Sequence, residues 1–446
     1  MTHIAVVGGG ISGLAAAWAL SADPRVRVTV HEAADRLGGK IRTSPFAGRA
    51  VDEGADAFLR RMPEALALCR EIGLEGLIAP AHGTACVWID GELRPLPGGL
   101  VLGVPARFDE LAESGILTHW GLARARTEPD LEGVPLVGDT TIGALISRRY
   151  GNEVAQRLVG PLLGGIAAGS IDTMSLDAAV PQLAAAAHRS TSLTVALAES
   201  LPPEGAAGSA EPVFAAPPNG MGELIDLLAV RLTERGVEFR LGAPVDGLPV
   251  ADGIVLTTPA DVSARLVAGR SPRAAETLAG IEFASVVFTT LAFRRCDIPG
   301  DLDASGFLVP RDAGLTVTAA SWSSTKWDRL AGDPVILRVS MGHSEDHEPI
   351  ELDDQEVLAR IAADLATTMG IRAEPVEHRI SRYRDGFPQY AVGHLDRIAS
   401  LETALAADAP DLAVCGMAHR GVGIPACIRE ARAAAAALRV RLTDPA

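Results

Sequence analysis

The first fifty residues alternate short apolar runs with breaks of glycine and polar residues. An apolar run over residues 3–7 is followed at once by Gly8, and residues 14–21 are then rich in Ala and Leu. A second apolar run covers residues 26–31 and ends at Glu32. This order predicts a strand, a glycine turn, a helix and a second strand within about thirty residues. Strands joined through a helix lie parallel, so the pattern predicts an open α/β sheet.

The middle of the chain is poor in strand alternation. Helical spacing occurs at residues 63–71 and 141–158, and the whole stretch 100–200 predicts a mainly helical insertion. Residues 199–222 are rich in Pro, Gly and Ala, which predicts a loop or linker.

The second half returns to mixed patterns. Asp353 with Glu356 three residues later is typical of a helix start. Three β-branched runs, 283–295, 305–322 and 334–342, predict one antiparallel sheet. The other predicted elements are helices over 223–235, 353–369 and 425–442, and strands over 237–241, 253–258 and 412–415.

Composition and charge narrow the class of protein. The 446 residues carry 40 basic and 56 acidic side chains, and a net charge of −16 repels phosphate backbones, so we expect no nucleic-acid partner. Five cysteines are an odd number without a C-x-x-C pair, which argues against a disulfide framework or a zinc site. The chain contains no run of eighteen apolar residues, so we expect no transmembrane segment and a cytoplasmic location.

The glycines after the first strand have the spacing of a dinucleotide-binding turn. Gly8 permits the tight turn, Gly10 lets the backbone approach a pyrophosphate, and Gly13 lets the helix pack closely on the strand. The helix N-terminus then presents free N–H groups to phosphate oxygens. Glu32 stands at the end of the second strand, where its carboxylate can accept hydrogen bonds from ribose hydroxyls. The motif by itself does not choose between NAD and FAD.

Two further stretches point to FAD. Residues 32–43 read EAADRLGGKIRT, and residues 415–428 read CGMAHRGVGIPACI. The first resembles the second signature of the FAD-dependent amine oxidase superfamily, and the other resembles its C-terminal flavin segment. In that superfamily a helix N-terminus near the isoalloxazine ring favours the anionic reduced flavin.

Within this superfamily the resemblance narrows to one family. Residues 388–395 read PQYAVGHL, residues 321–327 read SWSSTKW, and residues 161–169 read PLLGGIAAG. These stretches resemble motifs of the protoporphyrinogen/coproporphyrinogen oxidase family, the last of them its glycine-rich segment beside the substrate. The resemblance runs over nearly the whole chain.

The resemblance implies a fold and a set of FAD contacts. The fold is α/β, with a Rossmann-like FAD-binding domain, a mixed-sheet substrate domain and a mainly helical insertion. Its predicted segments are 1–98, 217–280 and 396–446 for the FAD domain, 99–200 for the insertion and 281–395 for the substrate domain. The implied FAD-binding residues are Gly8, Gly9, Gly10, Ile11, Ser12, Gly13, Glu32, Ala33, Lys40, Gly54, Ala55, Asp56, Ala57, Val245, Tyr383, Val422, Gly423 and Ile424.

The chain departs from the family pattern at four places. Ala55 stands where many members have proline, and Tyr383 where many have tryptophan. Ala167 replaces a common aromatic residue, and the segment from Val245 to Ile254 is too short for the usual small hairpin.

The function implied by the resemblance is oxidation of coproporphyrinogen III to coproporphyrin III in heme biosynthesis, with dioxygen as oxidant and hydrogen peroxide as product. The substrate carries carboxylate side chains, and Arg60 and Arg61 are candidate substrate-binding residues because arginine pairs well with carboxylates. Gly169 is a third candidate, since it lies in the glycine-rich segment that the resemblance places beside the substrate. No catalytic acid or base is assigned. A transient contact with a downstream chelatase is a further expectation. Three alternatives stay open: a protoporphyrinogen IX oxidase, a flavin amine oxidase and a non-catalytic flavin-binding escort protein.

Two histidines, His343 and His347, stand four residues apart among carboxylates. They lack the H-E-x-x-H arrangement and lie between Gly342 and Pro349, so we interpret the segment as a solvated loop and expect no metal site.

Overall fold

The computed structural model describes residues 1–201 and 212–443. The predicted loop over 199–222 therefore lies partly outside the described residues, as do the last three residues of the predicted segment 396–446. The chain forms two compact units. Unit 1 comprises Met1–Ala79, Val213–Glu282 and His394–Ala446, and unit 2 comprises Pro80–Pro212 and Phe283–Gly393. The domain boundaries predicted from the sequence stay a prediction.

The strands, in chain order, are β1 (Thr2–Val7), β2 (Val26–His31), β3 (Thr43–Phe46), β4 (Arg49–Asp52), β5 (Phe58–Leu59), β6 (Cys86–Ile89), β7 (Glu92–Pro95), β8 (Leu100–Val101), β9 (Val104–Pro105), β10 (Phe214–Ala215), β11 (Glu238–Arg240), β12 (Gly253–Leu256), β13 (Phe283–Phe293), β14 (Gly306–Leu308), β15 (Val317–Ser321), β16 (Val335–Met341), β17 (Glu377–Pro388) and β18 (Leu412–Val414).

The α-helices, in chain order, are α1 (Ile11–Leu20), α2 (Pro63–Ile72), α3 (Asp109–Glu113), α4 (His119–Arg126), α5 (Ile142–Tyr150), α6 (Asn152–Val154), α7 (Gly160–Ala167), α8 (Leu176–Ala179), α9 (Pro181–Arg189), α10 (Leu193–Ala198), α11 (Gly222–Glu234), α12 (Ala260–Val267), α13 (Pro272–Ala279), α14 (Ser323–Lys326), α15 (Glu348–Glu351), α16 (Asp354–Thr368), α17 (His394–Asp408) and α18 (Ile424–Thr443). A π-helical segment, Ala155–Val159, leads into α7.

Unit 1 is built on a parallel five-stranded sheet. Its strand order is β11-β2-β1-β12-β18, and every neighbouring pair runs parallel. The strand–helix–strand prediction for the first thirty residues is confirmed. Helix α1 is buried almost throughout, because it packs against α18 as well as against the sheet. Its continuous apolar sequence fits this burial on both sides.

Unit 2 is built on a seven-stranded mixed sheet with the order β17-β13-β16-β15-β14-β6-β7. The three β-branched runs do lie in one sheet, as predicted, and their pairing is antiparallel. The strands β6 and β17 join them, and β14 pairs with β6 in parallel. The sequence analysis did not identify β17.

Helices cover one face of this sheet. Val287 and Leu337 pack with Ile361 and Leu365 of α16 in one buried cluster. This helix begins where predicted, because the Asp353 side chain accepts the N–H of Glu356 at 2.8 Å. The predicted mainly helical stretch is also present, as α3 to α10, and it shares one core with β6.

Candidate functional site

The glycine turn between β1 and α1 leaves open space on one side. A Cβ atom placed on Gly10 would meet no atom within 4 Å. A Cβ on Gly13 would instead lie 1.8 Å from the carbonyl oxygen of Gly8, which itself has a φ of +108°. Helix α1 begins after Gly10 without a side-chain cap from any described residue. Gly13 therefore serves helix–strand packing, while Gly10 and the first N–H groups of α1 face a space that suits a phosphate.

Glu32 organises this turn. Its Oε2 accepts the N–H of Gly9 at 2.6 Å and its Oε1 accepts the N–H of Ala34 at 2.8 Å. A carboxylate has about four acceptor positions, so both oxygens can still accept a hydroxyl. The carbonyl of Glu32 accepts the N–H of Ala243 at 3.0 Å. This bond brings the chain near Val245 to the same edge of the sheet as Glu32 and Ala33.

A second loop lies against the glycine turn. The N–H of Gly38 donates to the carbonyl of Gly9 at 2.9 Å. Arg36 holds this loop closed, since its Nη2 donates to the carbonyl of Gly39 at 2.7 Å. Lys40 Nζ lies 3.1 Å from the sulfur of Met417, so the two stretches that resemble flavin signatures meet in unit 1.

The residues 54–57 follow a hairpin that is fixed from another segment. Asp52, at the end of β4, accepts the N–H of Met221 at 2.9 Å and the hydroxyl of Thr43 at 2.5 Å. Gly54 is buried and Ala55 is exposed. The structure thus joins the implied contacts of residues 54–57 to the loop that precedes α11.

Thr257 is a positioning residue that the sequence analysis missed. Its hydroxyl lies 3.0 Å from the carbonyl oxygen of Val7 and 3.1 Å from that of Gly8. It follows β12, which pairs with β1. The only indication in the sequence is its place at the end of a predicted strand.

The C-terminal segment brings buried sulfur and imidazole groups to the start of α18. Cys415 and Cys427 are buried, and burial raises the pKa of Cys427 to about 11, so its thiol stays protonated at neutral pH. His394 Nε2 lies 2.7 Å from the carbonyl oxygen of His419. These contacts agree with packing and structural roles for the cysteines and histidines.

His419 is 3% exposed, and neither ring nitrogen has a hydrogen-bond partner among the described residues. Burial lowers the pKa of His419 to about 4. Below about pH 6.5 this histidine is protonated in the unfolded chain but stays neutral in the folded protein. The folded state therefore has its full stability above that pH and loses stability as the pH falls.

We expect His419→Phe to reduce the acid sensitivity of the FAD-free protein. Between pH 7.5 and pH 5 the wild type should lose about 2 kcal/mol more unfolding free energy than the variant. Urea titrations at both pH values measure this difference, and His394, whose burial also lowers its pKa, is unchanged in both proteins. An equal loss of unfolding free energy in the two proteins would contradict the lowered pKa of His419.

Unit 2 contains a cleft of its own. One wall is the glycine-rich segment around α7, with Gly164, Gly165 and Ala168, and another is the sheet face with Phe288. Arg311 is also part of the lining. Apolar walls with a few polar groups are typical of small-molecule sites.

The family motif at 388–395 holds the glycine-rich segment. The amide nitrogen of Gln389 donates to the carbonyl of Ala167 at 3.1 Å. A Cβ on Gly169 would lie 2.4 Å from the side-chain oxygen of Gln389, so a larger residue there would displace that side chain. Tyr383, on β17, packs edge-to-face on Phe288 with ring centroids 5.6 Å apart.

Two corrections concern this cleft. His343 is half-buried and lines it, so the interpretation of its segment as a solvated loop is wrong for this residue. The sequence analysis also missed Phe288 and Arg311, because nothing near them in the sequence indicates a site. No group of three or more His, Cys, Asp or Glu among the described residues could hold a metal ion.

The candidate substrate residues belong to different units. Arg60 and Arg61 follow β5 in unit 1, where the N–H of Arg60 donates to the carbonyl of Val213 at 3.0 Å. Gly169 belongs to unit 2, as does Tyr383 among the implied FAD contacts. The roles of all these site residues stay proposals.

Comparison with known proteins identifies the family. A sequence model described as "Flavin containing amine oxidoreductase" matches residues 11–439. The chain belongs to this family. FAD is its cofactor, and the open space at Gly10, the uncapped N-terminus of α1 and the position of Glu32 fit an FAD pyrophosphate and ribose.

Relatives within the flavin-containing family span the whole chain. "Coproporphyrinogen III oxidase" of Mycobacterium bovis is 37% identical over 440 residues, covering 95% of this chain and 94% of that protein. A Bacillus subtilis protein of the same name is 30% identical over 460 residues and 97% of each chain. A crystal structure from Exiguobacterium sp. 255-15, described as a "Putative protoporphyrinogen oxidase", has a TM-score of 0.88, 29% identity and 99% coverage of both chains.

The fold class predicted from the sequence is confirmed. A structure of reduced UDP-galactopyranose mutase, at 14% identity and a TM-score of 0.75, shares the fold alone. Among the described residues, no helix combines the length and the apolar composition needed to cross a membrane.

Proposed function

We propose that this protein is an FAD-dependent oxidase that converts coproporphyrinogen III to coproporphyrin III in heme biosynthesis. The observation that carries the proposal is the similarity, at 30–37% identity over almost the full chain, to proteins named coproporphyrinogen III oxidase. The apolar cleft of unit 2, lined by the glycine-rich segment and an arginine, is consistent with a flat macrocycle that carries carboxylates.

FAD supplies a two-electron oxidant, since its isoalloxazine ring accepts hydride. The chain's own residues bind and orient this group. With FAD bound, the N–H groups at the start of α1 would hold pyrophosphate oxygens, and Glu32 would accept a ribose hydroxyl. The N-terminus of α18 would supply positive partial charge to the reduced ring.

The substrate side needs positioning more than proton transfer. The macrocycle must hold a bridging C–H close to the oxidant. Phe288 and the glycine-rich wall offer apolar contacts to such a macrocycle. Arg60, Arg61 and Gly169 are proposed substrate contacts in addition.

Three finer points are part of the proposal. Dioxygen is the terminal oxidant, which yields hydrogen peroxide, and the reaction takes place in the cytoplasm. The porphyrin product passes through a transient contact to a downstream chelatase. The support for these points is the family resemblance.

The test is reduction of the bound flavin without oxygen. We expect coproporphyrinogen III to bleach the visible flavin absorption and primary amines to leave it unchanged. Bleaching by amines would identify a flavin amine oxidase, and bleaching by neither would identify an escort protein.

A comparison of initial rates then separates the two porphyrinogens. A human protein named protoporphyrinogen oxidase is 27% identical to this chain, which keeps that substrate as the second candidate. We expect a higher kcat/KM for coproporphyrinogen III. A higher value for protoporphyrinogen IX would reverse the assignment.

A further inference from the structure

Arg311 occupies an unusual place in the cleft of unit 2. Among the described residues that line this cleft, it is the only one with a permanent charge, and most of its neighbours there are Gly, Pro, Val, Ala and Phe. Its side chain is 31% exposed. Burial lowers the pKa of Arg311, and nearby Glu345 and Asp172 act against that change. A guanidinium in such surroundings stays charged and requires an anionic or carbonyl partner.

Two partners hold the guanidinium in different ways. Nη2 of Arg311 donates to the carbonyl of Gly169 at 2.6 Å. Nη1 donates to the carboxylate of Glu345. The Gly169 carbonyl is part of the fixed wall, because Gly169 is packed against Gln389 and Met174. This bond therefore keeps the guanidinium aimed at the cleft.

Glu345 is held much less firmly. Its side chain is 53% exposed, and it lies in a short loop between β16 and α15. The loop itself is anchored by backbone bonds, since Ser344 donates its N–H to the carbonyl of Ala168 at 2.8 Å. An exposed ion pair contributes little stability, so the Glu345 carboxylate can turn to solvent at small cost while the loop stays in place.

We propose that Glu345 is a replaceable counter-ion, and that a carboxylate of the substrate displaces it from Arg311. Arg311 is then a specificity-determining residue for carboxylate-bearing macrocycles, and Glu345 sets the affinity by competition. The exchange leaves the number of ion pairs at Arg311 unchanged, because one carboxylate replaces another. The inference rests on the proposed function and names the group that recognises its substrate.

The experiment measures equilibrium binding of coproporphyrin III and of its tetramethyl ester to the flavin-loaded protein, by fluorescence titration in one detergent buffer. Glu345→Gln keeps the side-chain shape and removes the competing charge. We expect it to tighten acid binding about threefold to fivefold and to leave ester binding unchanged. Arg311→Met should weaken acid binding about tenfold or more and leave the ester within twofold.

Matched controls remove the effect of net charge. Glu348→Gln and Arg384→Met change the same charges on the surface of unit 2, where their partners are Arg360 and Glu351. We expect neither control to change the acid-to-ester ratio of affinities. If Arg311→Met does not fold, the comparison of Glu345→Gln with the wild type tests the proposal by itself.

Two results would overturn the proposal. One is equal weakening of acid and ester binding by Arg311→Met, and the other is a Glu345→Gln protein that binds the acid no more tightly than the wild type. Failure of the proposed function is seen separately, since wild-type protein would then show no flavin bleaching by porphyrinogen. The binding measurement needs no turnover, so the two failures are distinguishable.

Discussion

Replacing Gly13 by Ala should abolish FAD binding and destabilise unit 1 by about 4 kcal/mol or more. The reason is the contact at the start of α1, where a Cβ on Gly13 would lie 1.8 Å from the backbone oxygen of Gly8 and 2.9 Å from the Thr257 hydroxyl. The backbone oxygen cannot move without shifting β1. Helix α1 would therefore have to leave its place between the sheet and α18.

Gly10→Ala is the matched variant. Gly10 has a φ of −73°, which alanine adopts freely, and its Cβ would point into open space. The FAD-free variant should unfold within about 1 kcal/mol of the wild type, since Ala is only a poorer helix cap than Gly. FAD affinity should nevertheless fall about 100-fold, because the new methyl group would enter the space that we assign to the pyrophosphate.

Thermal unfolding of the FAD-free proteins, followed by circular dichroism, separates the two effects, and flavin fluorescence titration measures the affinity. Gly13→Ala should lose both stability and binding, and Gly10→Ala should lose binding alone. Normal FAD affinity in Gly10→Ala would contradict the assignment of this space to the pyrophosphate. Normal stability in Gly13→Ala would contradict the close packing of α1 on β1.

Glu128→Gln should destabilise unit 2 by about 3 to 5 kcal/mol. Glu128 is fully buried, and its partner Arg149 is 6% exposed. The carboxylate accepts the Ser192 hydroxyl at 2.7 Å, the N–H of Leu193 at 2.8 Å and Nη1 of Arg149 at 3.1 Å. The glutamine would leave the buried guanidinium without its counter-ion and place an N–H₂ group against backbone donors.

The same contacts set the pKa of Glu128 and the pH dependence of its contribution to stability. Burial by itself opposes ionisation of Glu128, but the hydrogen bonds from Ser192, Leu193 and Thr194 outweigh it and hold the pKa of Glu128 below its ordinary value. Its contribution is therefore present above the unfolded pKa of about 4.3 and is lost in stronger acid.

Calorimetric unfolding at pH 7 measures the effect of Glu128→Gln. Glu351→Gln is the control, because it removes one carboxylate from an exposed pair with Arg384 and should leave stability almost unchanged. Similar unfolding temperatures for Glu128→Gln and the wild type would show that the buried pair adds nothing to stability.

Local patterns were enough to predict the strand–turn–helix–strand segment that begins unit 1. Residues 2–31 form the predicted strands and helix, because the glycine turn, the apolar runs and Glu32 lie within thirty residues of one another. The helix start at Asp353 was predictable for the same reason, since its cap bonds a group three residues away. The stretches 32–43 and 415–428 were assigned by resemblance, and the Lys40–Met417 contact brings them together in unit 1.

The cleft of unit 2 was not predictable in this way. Its arginine reaches the carbonyl of Gly169 across 142 residues of sequence, and Phe288 meets Tyr383 only because β13 pairs with β17. The sequence also gave no reason to place His343 in a cavity rather than in solvent. Apolar strand residues look alike in sequence whether they face a helix or a ligand.

The sequence by itself determined the fold class and the nucleotide turn, because short-range spacing and glycine positions can be read from consecutive residues. The family followed from the resemblance of separate motifs. Only the tertiary structure decided which strand face lies against the glycine-rich helix α7, and so which side chains border the cleft. The physical reason is that strand pairing and register join distant segments through backbone hydrogen bonds, which any residue except proline can donate.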